Sequence, residues 1–101
     1  MDTKTEEEVG DMTVPRIGYT NEQAAAVADE IGLNLAEVPF DIDQFRRGME
    51  VELEHGVRDP VTNVTNDDPL ITGKIAWAHL REFPDYYDRL AVMEAEAELQ
   101  R

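Results

Sequence analysis

Two glutamates and two histidines stand at three-residue spacing in the middle of the chain. Glu52-Leu-Glu-His55 comes first and His79-Leu-Arg-Glu82 follows, with Pro84-Asp85-Tyr86-Tyr87 directly behind it. On a helix, residues three apart share a face, so each pair would set a carboxylate beside an imidazole. Three chemistries use such pairs. Two imidazoles and two carboxylates from Glu52, His55, His79 and Glu82 would suit zinc, iron or manganese. Four-helix di-metal proteins use the same Glu-x-x-His spacing, although they add further glutamates. The pairs could also exchange protons as acid and base. That reading lacks support, because the chain has no nucleophile elbow, phosphate loop or dinucleotide fingerprint. The third chemistry is structural: a buried hydrogen-bonded network in which His79 meets Glu52 or Glu82, joined by the Tyr86 or Tyr87 hydroxyl. We favour this third reading, with no enzyme activity and no cofactor. Metal binding is the alternative.

These residues need helices to carry them, and the hydrophobic spacing supplies four. Thr20-Asn-Glu-Gln23 is a capping-box pattern. It predicts a first helix near 21–31 with Ala24, Val27, Ala28 and Ile31 on one face, stopped by Gly32. A second, near 42–55, starts at Asp41 or Asp43 and lines up Ile42, Phe45, Met49 and Leu53. Asp43, Arg46, Arg47, Glu50 and Glu54 form its solvated side, whereas Glu52 falls beside Phe45 and Met49. Gly48 within it points to close approach of another backbone. Asp68-Pro69 reads as cap and first residue of a third helix near 69–83. Its apolar arc is Ile71, Ile75, Ala76, Ala78, Leu80 and Phe83, with His79 near the middle and Glu82 between Ile71 and Ile75. Pro84 breaks that helix. A fourth follows near 85–98, placing Tyr86, Leu90, Met93 and Ala97 on one face with Tyr87 at its edge. Residues 57–68 form a long polar loop. Asp59, Asn63, Asp67 and Asp68 lack the spacing of a calcium loop, and turn formation explains them.

The fold class is therefore all-α, a small four-helix domain over 14–101 behind an acidic, disordered tail at 1–13. The composition sets its surroundings. There are 23 acidic residues against 9 basic ones, a formal net charge of -14. Self-repulsion of this size destabilises a compact chain at low salt. It matters less in a salt-loving cytoplasm, where the Debye length falls to about 3 Å at 1 M. With no basic patch, nucleic acid and anionic membrane surfaces are not expected partners. No signal peptide or membrane-spanning run is visible, and cysteine is absent, which removes disulfides and thiolate metal sites. The expected partner is another protein. Trp77 is the candidate contact if it faces outward, and self-association stays open.

Val-Glu-Leu-Glu-His-Gly (51–56), Asp67-Asp68-Pro69, Lys-Ile-Ala-Trp-Ala-His-Leu-Arg-Glu (74–82) and Pro-Asp-Tyr-Tyr-Asp-Arg-Leu (84–90) together resemble a small uncharacterised family, domain of unknown function five-six-six-one. The resemblance covers roughly residues 40–95. It implies a helical module with an inward His/Glu cluster and no known reaction. Members of that family occur in bacteria, archaea and tailed viruses, sometimes attached to virion-assembly proteins, so a virion is the second expected location beside the cytoplasm. The acidic tail and first helix read as additions to the pattern, and the 57–68 loop is longer than the pattern implies.

Overall fold

The computed structural model describes residues 17–100. The chain enters its first helix at Thr20. The Thr20 hydroxyl accepts from the Gln23 amide at 3.1 Å, and Gln23 Oε1 accepts from the Thr20 amide at 2.9 Å. This reciprocal pair satisfies two amides that a helix start leaves open. It begins α1 (Asn21–Ile31), which ends at Gly32 in the left-handed region, φ +82°. A short apolar connector makes one 3-10 turn at Leu35–Glu37. Asp41 then caps α2 (Ile42–Glu52) by accepting from the Gln44 amide at 2.9 Å, and the helix tightens into a 3-10 turn at Leu53–His55. Beyond the loop, Asp68 Oδ1 accepts from the Leu70 and Ile71 amides, and Pro69 opens α3 (Pro69–Glu82). After Phe83-Pro84-Asp85 comes α4 (Tyr86–Leu99). All four expected helices are present within a few residues of their expected bounds. The described residues hold no strand. The acidic stretch at 1–13, with 14–16 and 101, lies outside the described residues.

The core lies where α1, α2 and α3 meet. Ala24, Val27 and Ala28 face Phe45, Met49 and Leu53, with Ala76 and Leu80 from α3 and Tyr87 from α4 completing it. Burying each large apolar side chain contributes about 1.5–3 kcal/mol. The orientation of α3 differs from the sequence expectation. Its buried face is Thr72, Gly73, Ala76 and Leu80, while Ile71 and Phe83 are exposed. Small side chains decide this. Gly73 lies so close to Val27, Ile31 and Phe45 that an added Cβ would come within 2.5 Å of the Val27 methyl. The helix packs on its narrowest face, the one that allows the approach. A reading that follows the largest apolar residues picks a face rotated toward Ile71 and Ile75. Thr72, buried in that face, returns its hydroxyl to the Asp68 carbonyl at 2.7 Å.

Gly48 shows a related difference. The group pressed against it is the Tyr87 ring, not another backbone; a Cβ at this position would overlap ring carbon Cε2. Replacing Gly48 by alanine sets two effects against each other. Helix propensity gains about 0.5–1 kcal/mol, and forced displacement of a packed ring costs about 1–3 kcal/mol. We expect Gly48→Ala to lower the unfolding temperature. A variant that melts higher than the parent would mean that the ring gives way freely.

Candidate functional site

Glu52 ends α2 and is 4% exposed. Its position follows from periodicity: it is seven residues from Phe45 and three from Met49, both fully buried. The carboxylate is not left alone. Tyr87 donates its hydroxyl to Glu52 Oε2 at 2.7 Å, a short bond to a charged acceptor and thus among the stronger kinds. His79 Nε2 stands 3.7 Å from the same oxygen, and His55 Nε2 is 3.9 Å from Oε1. Each imidazole adds ionic attraction only when protonated.

Aromatic packing holds the donors. The His79 ring stacks on Tyr86 with centroids 4.3 Å apart and planes 13° apart. Tyr87 meets Tyr86 edge-on at 5.0 Å and His79 at 6.3 Å. Pro84 makes this possible by breaking the helix, so that two consecutive tyrosines at the start of α4 approach the end of α3. On the outer side, Arg47 and Gln44 of α2 both donate to Asp88, at 2.7 and 3.0 Å, tying α4 down one residue beyond Tyr87. Those two donors hold the Asp88 carboxyl below the usual aspartate range, the Gln44 bond contributing most.

The four sequence candidates are therefore unequal. Glu52 is the centre. His79 touches it but is half-buried at the edge of α3, not in the middle of an apolar face. His55 lies at the rim, beside both Glu52 and Glu54, the latter at 3.4 Å. Glu82, expected to turn inward, has a side chain 64% exposed and reaches only His79 Nδ1, at 3.4 Å. The rotation of α3 toward its small residues carries Glu82 outward. Tyr86 and Tyr87 both join the cluster, and Tyr87, expected at an edge, is the buried one. Among the described residues, no group of three or more histidine, aspartate or glutamate side chains comes together in a way that could hold a metal ion.

The loop contributes a support that periodicity could not reveal. Its Val64 and Thr65 amides both donate to the His55 carbonyl, at 2.8 and 3.2 Å. Asp67 Oδ1 accepts from the Val57 amide at 3.0 Å, and buried Thr65 accepts from the Asp67 amide at 3.1 Å. The loop thus folds back on the end of α2 and fixes the backbone of His55. Asn66 and Asp67 both take left-handed backbone, φ 55° and 60°, which these two residue types tolerate better than most. Consecutive Asn-Asp before a cap was the available signal. Trp77 is half-buried and packs against the core cluster.

Burial, then the hydrogen bond to Glu52 and the charge of that carboxylate, push the Tyr87 hydroxyl far above the ordinary tyrosine range. Tyr86 is raised too, first by burial and then by Glu52 and Glu82. The sign for stability follows directly. Near neutral pH both folded and unfolded chains keep these protons. Above about pH 10 the unfolded tyrosines ionise while folded Tyr87 does not, so stability is lost as pH rises. We expect unfolding midpoints to fall above about pH 10, and Tyr87→Phe to flatten that limb. At neutral pH the same variant should cost about 1.5–3 kcal/mol, the worth of a hydrogen bond to a charged group. Denaturant titrations at several pH values read both effects, and identical alkaline limbs for parent and variant would contradict the assignment.

No curated protein and no solved structure matches the chain. The profile of a family described as "Protein of unknown function (DUF5661)" matches residues 24–96. The match starts inside α1, so the first helix is largely part of the family pattern rather than an addition to it. It spans the packed helices, Glu52, both histidines and both cluster tyrosines, and on that coverage the chain belongs to this family of uncharacterised proteins.

Proposed function

We propose that the chain is a non-enzymatic interaction or structural accessory domain that works at high salt and binds another protein through the outer face of α4. The observation carrying this reading is the groove formed by Phe83, Tyr86, Arg89, Leu90 and Met93, about 300 Å³ in volume and mostly apolar. Phe83 and Met93 are 51% and 56% exposed. Apolar side chains gathered in a groove at the surface favour a docking role over simple solvation. The Glu52 cluster supports a structural purpose rather than catalysis, since its carboxylate is committed to the Tyr87 hydroxyl. Trp77 is less suited to the contact than α4, because it packs against the core. The resemblance to a family with members in tailed viruses supports a place in virion assembly, with the cytoplasm as the alternative setting.

Two measurements test the reading. Phe83→Ser and Met93→Ser each remove an exposed side chain, so each should cost no more than about 1 kcal/mol of stability. The pair should abolish the set of proteins that co-purify with the tagged chain from its own cells. An unchanged set would remove the α4 face as the contact. The high-salt setting rests on the formal net charge of -14. Screening by chloride salt from about 0.1 M to about 2 M should raise the unfolding temperature clearly. Melts that stay flat over this range would leave the charge without that explanation.

A further inference from the structure

We infer that the occupant of the α4 groove is a positively charged amphipathic helix of another protein. The inference rests on the docking role proposed above and specifies the partner's chemistry. Shape supplies the first part. Half-buried Tyr86 and Leu90 form the floor, and exposed Phe83 and Met93 form the sides. From Tyr86 to Met93 is seven residues, about 10 Å of helix. That length takes two turns of a partner helix, enough for anchors at i, i+3 or i+4, and i+7.

Charge supplies the second part. At about 100° per residue, Tyr86, Leu90, Met93 and Ala97 share one face of α4, with Glu94 on one flank and Glu96 on the other. No lysine or arginine lies three or four residues from either glutamate. The other charges near the groove are already engaged. Asp85 accepts from Arg89 Nε at 2.8 Å, Arg89 lies over the Phe83 ring at 5.6 Å, and Asp88 is held by Arg47 and Gln44. The groove is thus an apolar strip that Arg89 also lines, with Glu94 and Glu96 flanking that helix face as an acidic rim and exposed Glu82 next to Phe83. A second copy of the chain would bring the same rim against itself, each copy carrying a formal charge of -14. An anionic lipid surface or a nucleic acid meets the same repulsion. A helix with leucines on one side and lysines or arginines on the other satisfies both the strip and the rim.

The test uses the full chain and two labelled peptides of about four helical turns. They share one leucine pattern and carry either lysine or glutamate at every other position. Binding is read by fluorescence anisotropy at about 0.15 M and about 1 M salt. We expect the lysine peptide to bind at least about tenfold more tightly than the glutamate peptide at the lower salt. Met93→Ser should weaken it at least about fivefold with an unchanged melting curve. Glu94→Gln with Glu96→Gln should weaken it about threefold or more and reduce its salt dependence. Equal binding of both peptides, lost in Met93→Ser, would overturn the charge assignment and leave the docking face standing. Lysine-peptide binding indifferent to Met93→Ser would overturn the location. Self-association lost in Met93→Ser, with no peptide bound, would assign the groove to a second copy. Neither peptide binding nor self-association would overturn both the partner and the docking role.

Discussion

A carboxylate held out of water is the constraint on which the rest of this structure depends. Glu52 is nearly inaccessible, and an unpaired charge there would cost several kcal/mol. Everything near it reduces that cost. Gly48, one turn earlier on α2, has no side chain, and this lets the Tyr87 ring lie across the helix so that its hydroxyl reaches Glu52. Tyr87 sits there because Asp88, its neighbour, is clamped by Arg47 and Gln44. His79 arrives from α3 and is held flat against Tyr86. Three helices therefore meet at one oxygen pair, and a shift in any of them exposes the charge or strips its partner. Replacing such a centre with apolar residues often stabilises a protein, while removing one partner destabilises it. The cluster joins α2, α3 and α4 at this one carboxylate.

The same scarcity shapes the surface. Against 23 acidic residues the chain has 9 basic ones, and Arg46, Arg47 and Arg89 each pair with carboxylates. Arg46 joins Asp43 and Glu50 at 2.9 Å each, and Glu50 in turn accepts from the Tyr19 amide, which anchors the segment before α1. Arg47 reaches across to α4. One exposed ion pair contributes little. Here most pairs are local, Arg46 with Asp43 and Glu50 and Arg89 with Asp85, while Arg47 with Asp88 joins α2 to α4. Further along α4, Glu94 and Glu96 are exposed beside uncovered Val92 and Met93.

Much of this was legible in the sequence because it is local. Thr20 with Gln23, Gly32, Asp41 and Asp68-Pro69 are end signals whose physics involves only near neighbours, and all act as read. Glu52 was legible because a charged residue in phase with Phe45 and Met49 has nowhere else to point. The facing of α3 was not. Which side of a helix is buried depends on how closely its neighbours approach, and Gly73 and Ala76 invite that approach without any hydrophobic signal of their own. The error passed on to Glu82, whose exposure follows from the same rotation. Gly48 within a helix marks a site of close approach, but the identity of the approaching group, the Tyr87 ring, is a tertiary fact. The loop's hold on His55 depends on two left-handed residues in succession, which composition suggests and periodicity cannot detect.

These facts together separate what keeps the fold from what the fold presents. Of the chemically suggestive residues, Glu52 and His79 join neighbouring helices through Tyr87 and each other, and His55 stays at the rim. Their types and spacing look like a reactive site because a buried charge and a catalytic charge need the same things: a fixed position, a hydrogen-bond donor and little water. What distinguishes the two is whether the carboxylate still has somewhere to act. Glu52 Oε2 accepts from Tyr87 at 2.7 Å with His79 beside it, and Oε1 has His55 at 3.9 Å, so both oxygens face groups of the protein itself. Phe83 and Met93 are the reverse case. They are chemically plain and more than half exposed. The groups around Glu52 thus sit inside the fold, and the apolar side chains of the proposed docking face lie on its surface.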